Sequence, residues 1–268
     1  MLAAFEVGAD APRPARVVSI NLCTDQLAMM LADEGQLWSV SDLALDPRAS
    51  AMTAEAAGYV INHARAEEVF VMRPDLVLGG AYSTRATVSM LRRLGLRVEL
   101  FTPANSLADV RDQIVRMGEV LGRQAAAEAM LADFDARLAR LRAEVARRPE
   151  AILYYANGYT TGDRTLAGQI LLEAGFSNAA SALGYRSGMN LPLEMLAMSD
   201  PETVITGQSY PGASRSEEIL THPVVEVLRA TRPSATMTDA DWVCGTPHVL
   251  HAIEGLAGLR REMTGSGG

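Results

Sequence analysis

The sequence predicts an α/β fold of two lobes, each built on a central parallel sheet, joined by one long α-helix, with a ligand cleft between the lobes. Three observations support this prediction. Strand-like and helix-like segments alternate up to Gly122, which is typical of a parallel sheet covered by helices. A long amphipathic helix follows near the middle of the chain. A short motif, E-x6-P-[DE]-x-V, occurs on both sides of that helix.

The first lobe is predicted at residues 16–122. Its β-branched runs predict strands, and apolar residues at helical spacing predict helices. The predicted strands are Arg16–Leu22, Gln36–Ser41, Asp75–Gly79 and Leu96–Phe101. The predicted helices are Cys23–Ala32, Ala66–Met72, Thr84–Leu94 and Ser106–Gly122. Residues 42–65 have mixed character, with loop chemistry at Asp46-Pro47 and room for a short helix.

The connecting helix, within residues 123–149, has an apolar face and a charged face. Its apolar residues recur at steps of three or four positions: Met130, Phe134, Leu138, Leu141 and Val145. Gly122 precedes the helix and Pro149 follows it, so both ends carry stop signals. About 25 residues would span roughly 37 Å, the width of a domain. We expect a rigid spine between two lobes; the alternative is an ordinary long helix of one α/β domain.

The second lobe is predicted at residues 150–262, where the strand and helix pattern begins again. Its segments are a strand at Ala151–Gly158, a helix at Thr165–Gly175, a short helix and a strand at Thr203–Thr206, a broken helix at Glu217–Leu228, a strand-like run at Arg232–Val243 and a last helix at Pro247–Arg261. The chain therefore contains two α/β units of similar order.

The repeated motif relates the two halves. Glu67 precedes Pro74 by seven residues, and Glu194 precedes Pro201 by the same number. Each proline is followed by an acid, one further residue, a β-branched strand start and then a glycine. Because the long helix lies between the two copies, we interpret the halves as similar lobes.

Composition limits the function. The chain has 268 residues, and 49% hydrophobic with 21% charged residues is typical of a globular protein with a sizeable core. The formal net charge is −8, which argues against nucleic acid and against an anionic membrane surface as partners. No apolar run reaches 18 residues. The polar start of the chain is unlike an intact signal peptide, so we expect any export signal to lie outside this sequence. We expect a monomer.

Ligands of open α/β sheets bind in loops at the carboxyl ends of the strands. Many of the few aromatic residues fall in these loops, and arginines there could pair with carboxylates of a ligand. The candidate ligand-binding residues are Cys23, Thr24, His63, Tyr82, Arg85, Tyr155, Tyr159, Arg164, Tyr185, Arg186, Tyr210, Trp242, Cys244 and His248. For any one of them, loop packing or a solvated charge is the alternative.

The two cysteines, Cys23 and Cys244, allow three interpretations. Buried, inert thiols are the interpretation that we favour. Contact with the ligand or its metal is the second, since His63 and His248 are expected on the same rim. A disulfide between the lobes is the third, and resistance to opening argues against it. No close spacing of ligating residues indicates a dedicated metal site.

These segments resemble the substrate-binding proteins of ABC importers for metal chelates, the class that serves cobalamin, iron–siderophores and haem. The resemblance is carried by RVVSINLCTDQLAMMLA, RAEEVFVMRPDLVLGG, the long helix and LPLEMLAMSDPETVITG. It covers the chain from about Arg16 to Leu259. It implies two Rossmann-like lobes bridged by a stiff helix, with a metal chelate in the cleft between them.

The resemblance also implies partners and a location. In that class an acid on each lobe docks onto arginines of the membrane permease, and Glu67 and Glu194 match those two positions. It implies that the protein is periplasmic or anchored by lipid at the cell surface. It implies no cofactor beyond the ligand, which would carry its own metal. Solvated acids in the first turn of a helix are the alternative for both glutamates.

The ligand and the class of protein stay open. A corrinoid such as cobalamin or an iron–siderophore is expected first, and haem next, with His63 or Tyr82 as axial ligand. A sensing module without an importer is a further possibility. A two-lobed enzyme, such as a nucleotide-sugar transferase or a nitrogenase-like subunit, is the other. Against an enzyme, the chain has no G-x-G-x-x-G, G-x-x-x-x-G-K-[ST], H-E-x-x-H or G-x-S-x-G motif.

Overall fold

The computed structural model describes residues 13–143, 145–209 and 214–265. The first lobe contains β1 (Val17–Ser19), α1 (Leu22–Leu31), β2 (Leu37–Ser41), α2 (Thr53–Ala56), β3 (Val60–Asn62), α3 (Ala66–Val71), β4 (Leu76–Gly80), α4 (Arg85–Arg93), β5 (Val98–Phe101) and α5 (Leu107–Leu121). The spine is α6 (Gln124–Ala143). Within the described residues, no helix combines the length and the apolar character needed to cross a membrane.

The second lobe follows the spine. It contains β6 (Glu150–Tyr154), β7 (Tyr159–Thr160), α7 (Leu166–Glu173), β8 (Ser177–Asn178), α8 (Ala179–Ala182), β9 (Met189–Asn190), α9 (Leu193–Ser199), β10 (Thr203–Gly207), α10 (Pro223–Thr231), β11 (Ser234–Met237), α11 (Asp239–Trp242) and α12 (Val249–Gly265). Short 3-10 turns lie at Asp42–Leu45, Ala156–Gly158 and Arg215–Thr221.

Each lobe has a parallel sheet, as the sequence predicts. The first sheet has the order β3-β2-β1-β4-β5 and the second has the order β11-β10-β6-β8. β7 and β9 form a separate antiparallel pair. The strand at Val60–Asn62 lies in the segment that the sequence left as mixed. A strand of three residues is too short to show an alternation of apolar and polar side chains, and only Asn62 of the three is fully buried.

The two sheets repeat the same arrangement. β4 lies between β1 and β5, and β10 lies between β6 and β11, so the two copies of the motif enter equivalent central strands. The acid after each proline accepts hydrogen bonds from backbone N–H groups in the same way in both lobes. The Asp75 carboxylate accepts hydrogen bonds from Ala15 N (2.7 Å) and Arg16 N (3.1 Å), and Glu202 Oε1 accepts one from Glu150 N (3.0 Å). Each acid therefore fixes the start of the neighbouring strand.

The sheets share one core. Successive strand residues point to opposite faces. In β1 and β4, Val17 and Leu78 face a cluster that continues through the spine to Leu153 of β6, while Val18 faces a separate cluster of the first lobe. Ile152 likewise faces a separate cluster of the second lobe. The lobes are thus packed against one continuous apolar layer.

The spine carries that layer. Phe134, Leu138 and Leu141 are buried on its apolar face, as predicted. Its polar face joins both lobes: Asp135 pairs with Arg111 of α5, and Arg137 pairs with Glu254 of α12 at 2.7 Å. These pairs on an exposed surface contribute little stability, so the buried face holds the spine in place.

The spine is also close-packed against α5. A Cβ on Gly118 would lie 2.4 Å from the Ala127 Cβ, so only glycine permits this approach. The helix is shorter than expected: it ends at Ala143, whereas the sequence predicts a helix of about 25 residues. Beyond it the chain bonds to the second lobe, where Arg148 donates to Leu172 O (2.9 Å) and Pro149 O accepts from Ser177 N (3.0 Å).

Replacing Phe134 tests the shared core. We expect Phe134→Ala to lower the free energy of unfolding by about 3–5 kcal/mol, because a fully buried ring is removed from a layer that both lobes use. Urea unfolding followed by circular dichroism measures the change. Asp133→Ala, on the exposed face of the same helix, is the matched control and should change stability by about 0.5 kcal/mol or less. Equal losses in the two variants would contradict the shared core.

Candidate ligand-binding cleft between the lobes

Loops at the carboxyl ends of strands from both sheets meet in one region. The residues after β1, β4 and β5 come from the first lobe, and those after β6, β10 and β11 come from the second. This is the edge at which open parallel sheets bind ligands. Two hollows lie there.

The larger hollow has a volume of about 390 Å³ and belongs to the second lobe. It is lined by Tyr155, Ala156, Tyr159, Gly207, Gln208, Glu217, Leu220, Asp239 and Trp242. The rings of Tyr155 and Trp242 stack with their centroids 5.9 Å apart. The Tyr155 hydroxyl and Trp242 Nε1 are buried and have no hydrogen-bond partner among the described residues. The hollow thus offers aromatic faces and two unused donors.

The larger hollow is acidic. Burial raises the pKa of Asp239, and the charge of Glu217 raises it further. Burial likewise raises the pKa of Tyr155, with a smaller contribution from Asp239, so its hydroxyl stays protonated. No arginine is among the described residues that line this hollow. Its surface suits neutral or positively charged groups more than carboxylates.

The smaller hollow, of about 140 Å³, is lined by both lobes: Asn21, Cys23, Thr24, Leu27, Gly80, Ala81, Tyr82, Phe101, Thr102, Pro103, Gln113, Val243 and Cys244. Tyr82 stands at its rim with 87% of its surface exposed. Thr24 is buried, and its hydroxyl is hydrogen-bonded to Ser19 Oγ (2.8 Å). Tyr82 is therefore more available to a ligand than Thr24.

Cys23 and Cys244 form a disulfide, so the interpretation of both as buried free thiols is wrong. They are 221 positions apart in the chain, and their Cα atoms lie 4.8 Å apart. Cys23 lies in the first turn of α1 in the first lobe, and Cys244 precedes α12 in the second. The argument against a bridge was that it would resist opening of the lobes. Lobes that share one core need little opening, so the bridge is compatible with the fold.

A family comparison decides the class of protein. Residues 17–234 match the model of a family described as periplasmic binding protein. The chain belongs to the periplasmic binding protein family. The match spans both lobes and the spine, and it confirms the resemblance seen in the sequence. A comparison with curated protein sequences gives no match.

Solved structures of other periplasmic binding proteins share the fold. The periplasmic heme-binding protein RhuT from Roseiflexus sp. RS-1 has a TM-score of 0.72 at 19% identity, over 92% of this chain and 98% of its own. A periplasmic heme-binding protein from Pseudomonas aeruginosa has a TM-score of 0.67 at 22% identity, over 93% and 92%. The vitamin B12 binding protein BtuF of Vibrio cholerae has a TM-score of 0.66 at 15% identity, over 94% and 98%. At these identities the likeness establishes the common fold.

The remaining predicted ligand contacts of this periplasmic binding protein lie outside the two hollows. Arg85 lines a separate groove of about 510 Å³ beside α4, together with Arg92 and Arg93. His63 is turned to Glu68, with Nδ1 3.1 Å from Oε1. His248 lies beside His251 with ring centroids 5.2 Å apart, and burial lowers the pKa of His248. These side chains therefore do not line the hollow that contains the stacked rings of Tyr155 and Trp242.

Four further candidates come from the second lobe. Arg164 and Arg186 are exposed and line neither hollow, and Arg164 N donates to Arg186 O at 3.1 Å. Tyr185 packs against the core of the second lobe. Tyr210 lies outside the described residues. The predicted pairing of arginines with ligand carboxylates thus has no support in the larger hollow.

Two acids of the larger hollow, Asp239 and Glu217, were not predicted. Both follow loop segments rich in polar residues, so nothing in the spacing separates them from solvated acids. The signal that could have identified Asp239 is its place directly after the β11 strand, beside Trp242.

Glu67 and Glu194 lie on the surface, at the second positions of α3 and α9. Neither makes a hydrogen bond or an ion pair with another described residue. One helical turn further on, each helix exposes an aliphatic side chain: Val71 is 74% exposed and Met198 is 78% exposed. The repeat therefore places the same acid and apolar pair on both lobes.

Beneath Cys23, the buried Asp25 makes the stability of this periplasmic binding protein depend on pH. Its carboxylate accepts a hydrogen bond from the Ser41 hydroxyl, and its Oδ1 has no partner among the described residues. Burial raises the pKa of Asp25 to about 6. The native state therefore holds this proton more tightly than the unfolded chain, and stability falls as the pH rises from about 4 to about 6.

We expect Asp25→Asn to remove this loss. Relative to the variant, the wild type should lose about 2 kcal/mol of unfolding free energy between pH 4 and pH 7. Urea unfolding at a series of pH values measures the difference. Asp133→Asn, an exposed carboxylate of the spine, is the control and should keep the wild-type slope. A wild-type slope in Asp25→Asn would show that Asp25 is charged throughout this range.

Proposed function

We propose that this chain is the substrate-binding protein of an ABC importer and that it captures a metal chelate in the cleft between its lobes. The observation that carries the proposal is the aromatic wall of Tyr155 and Trp242, in a hollow at the carboxyl ends of the strands. A flat chelate needs such a face, and the unused donors of both side chains can bond to its polar edge. The ligand brings its own metal, and the chain supplies the shape.

Charge favours one group of chelates. Asp239 and Glu217 line the larger hollow, and no described residue there is cationic. An uncharged or cationic chelate with amide groups suits this lining better than a polycarboxylate. A corrinoid of the cobalamin type has that chemistry, and a neutral iron–siderophore is the next choice. Solved neighbours carry names that include vitamin B12 and Fe3+-hydroxamate, which fits this range.

Haem is the second candidate, because one observation favours it. Tyr82 stands at the rim of the smaller hollow with its ring exposed, and a tyrosine oxygen is one of the axial ligands that haem iron accepts. His63, the other predicted axial ligand, is engaged with Glu68 and lines neither hollow. Three of the solved neighbours are named as heme-binding proteins.

The disulfide supports an export destination. Disulfides persist in oxidising compartments such as the bacterial periplasm. The Cys23–Cys244 bridge therefore fits a periplasmic protein, either soluble there or anchored by lipid.

Docking to the permease is the second part of the proposal. Glu67 and Glu194 have no structural partner among the described residues, and each has an exposed aliphatic neighbour one turn away. Arginine pairs with carboxylate in a directional, bidentate way, so two such acids on a rigid body would fix its orientation. Val71 and Met198 would add apolar contact beside each ion pair.

The ligand is tested with Trp38→Phe protein, in which Trp242 is the only tryptophan. We expect cobalamin or cobinamide to quench its emission and to raise thermal stability, with haem and ferric hydroxamates as the competing ligands. A ligand at 100 times its dissociation constant adds about 2.7 kcal/mol. Trp242→Ala should weaken binding about 10- to 100-fold, because it removes half of the stacked wall.

Two controls make this test decisive. Phe at position 38 replaces a ring that stacks on Arg16 far from the hollows, so Trp38→Phe should bind as the wild type does. Arg164→Ala should also bind normally if the acidic hollow is the site. Absence of binding with every metal chelate would overturn the proposal.

Docking is tested with the detergent-solubilised permease and ATPase complex of the proposed importer. We expect Glu67→Arg with Glu194→Arg to weaken docking at least about tenfold while ligand affinity stays unchanged. Val71→Ser with Met198→Ser should weaken it by a smaller factor. Glu128→Arg and Val227→Ser, exposed elsewhere on helices, are the matched controls. Normal docking by the double arginine variant would show that the two acids are not part of the docking interface.

A further inference from the structure

Three consecutive residues, Trp242, Val243 and Cys244, separate the two hollows, and we call them the ridge. Trp242 lines the larger hollow, whereas Val243 and Cys244 line the smaller one. Val243 is 47% exposed, so the crest of the ridge faces the cleft. The position of the ridge therefore sets the width of both hollows.

Within its own lobe the Trp242 ring stacks on Tyr155, but the backbone of the ridge is held weakly. The ridge begins with the last residue of α11, a helix of four residues, and a single turn has little stability of its own. Its local hydrogen bonds are those of that turn, from Val243 N to Asp239 O (2.9 Å) and from Gly245 N to Trp242 O (3.0 Å). Trp242 Nε1 has no partner among the described residues.

The first lobe holds the other end of the ridge. Cys244 is bonded to Cys23, which lies in the first turn of α1. α1 is fixed by its cap, since Asn21 Oδ1 accepts from Cys23 N at 3.1 Å, and by burial of Leu27 and Leu31. The ridge is thereby attached to a rigid helix of the opposite lobe.

A second contact lies directly after the ridge. Gly245 has a positive φ of 56°, and a Cβ there would lie 2.4 Å from the Ala104 Cβ of the first lobe. This contact fixes where the chain passes, but it involves no bond that resists separation. The disulfide is the one covalent link across the cleft within the described residues.

We propose that the Cys23–Cys244 disulfide is a positioning element that gives the ligand site its shape. It pins the ridge to α1 and keeps the two hollows apart. A ligand that fits both must place a flat body against Trp242 and pass one arm over Val243 into the smaller hollow. The part that concerns the ligand rests on the proposed function, whereas the part that concerns the ridge does not.

The bridge also prepares the site before binding. With the ridge fixed, a ligand does not have to order the α11 segment when it enters. Ordering costs reduce affinity, so a preformed ridge raises it. Breaking the bridge should leave the fold intact, because the shared core does not depend on it, and should loosen the ridge.

The ridge is tested in the Trp38→Phe background, where all tryptophan fluorescence comes from Trp242. We expect Cys23→Ser with Cys244→Ser to raise the acrylamide quenching constant of Trp242 by at least about twofold, because the segment opens locally. Cys23→Ala with Cys244→Ala, which avoids burying two hydroxyls, should behave alike. Dithiothreitol should produce the same rise in protein with both cysteines, and thiol titration counts the sulfhydryl groups released.

A control separates local loosening from general instability. Phe134→Leu weakens the shared core and leaves the bridge intact, so its quenching constant should equal that of the parent. Unchanged quenching after loss of the bridge, or an equal rise in Phe134→Leu, would overturn the proposal.

Ligand affinity gives the second readout, with cobalamin, cobinamide and haem as probes. We expect the dissociation constant of a bound chelate to rise about tenfold when the bridge is removed. If quenching rises while affinity stays the same, the ridge does not shape the site and the ligand part is wrong. If no chelate binds the wild type, the proposed function fails, and the quenching result still decides the role of the bridge.

Discussion

One apolar layer, shared by both sheets and filled by the spine, determines how this protein works. Phe134, Leu138 and Leu141 are buried between the lobes, and the lobes also bond directly where Gln169 accepts from Leu107 N at 2.8 Å. Packed interiors resist deformation, so lobes joined in this way move little relative to each other. The cleft is therefore largely formed before a ligand arrives. A covalent link across the cleft therefore restricts little motion, and a disulfide there is compatible with a binding protein.

Much of the fold could be predicted because its signals are local. Helical spacing located α5 and its Ser106 cap, and β-branched runs located β4 and β10. Two features were not predicted because their causes are not local in the sequence. β3 is three residues long and is a strand because it pairs with β2, not because of its own pattern. The spine ends early because Arg148 and Pro149 bond to the second lobe, which competes with continued helix.

The site was predicted less well, and for a physical reason. Loop position placed Tyr155 and Trp242 correctly in the cleft, since the carboxyl ends of parallel strands converge. It could not say which loop side chains turn inward, so Arg164 and Arg186 were included and Asp239 was missed. The sequence left the disulfide as the least favoured of three interpretations and could not decide between them. A separation of 221 residues carries no information on distance until the path of both lobes is known.

The two acids of the repeated motif differ in what they contact. Its second acid, Asp75 or Glu202, is engaged in both copies with the backbone that starts the neighbouring strand. Its first acid, Glu67 or Glu194, is exposed in both copies and fixes nothing in the fold among the described residues. A duplicated fold explains the first similarity, because each sheet needs its strands aligned. It does not explain the second, nor the exposed aliphatic residue one turn beyond each acid. An external surface that meets both lobes in the same way accounts for all four exposed side chains.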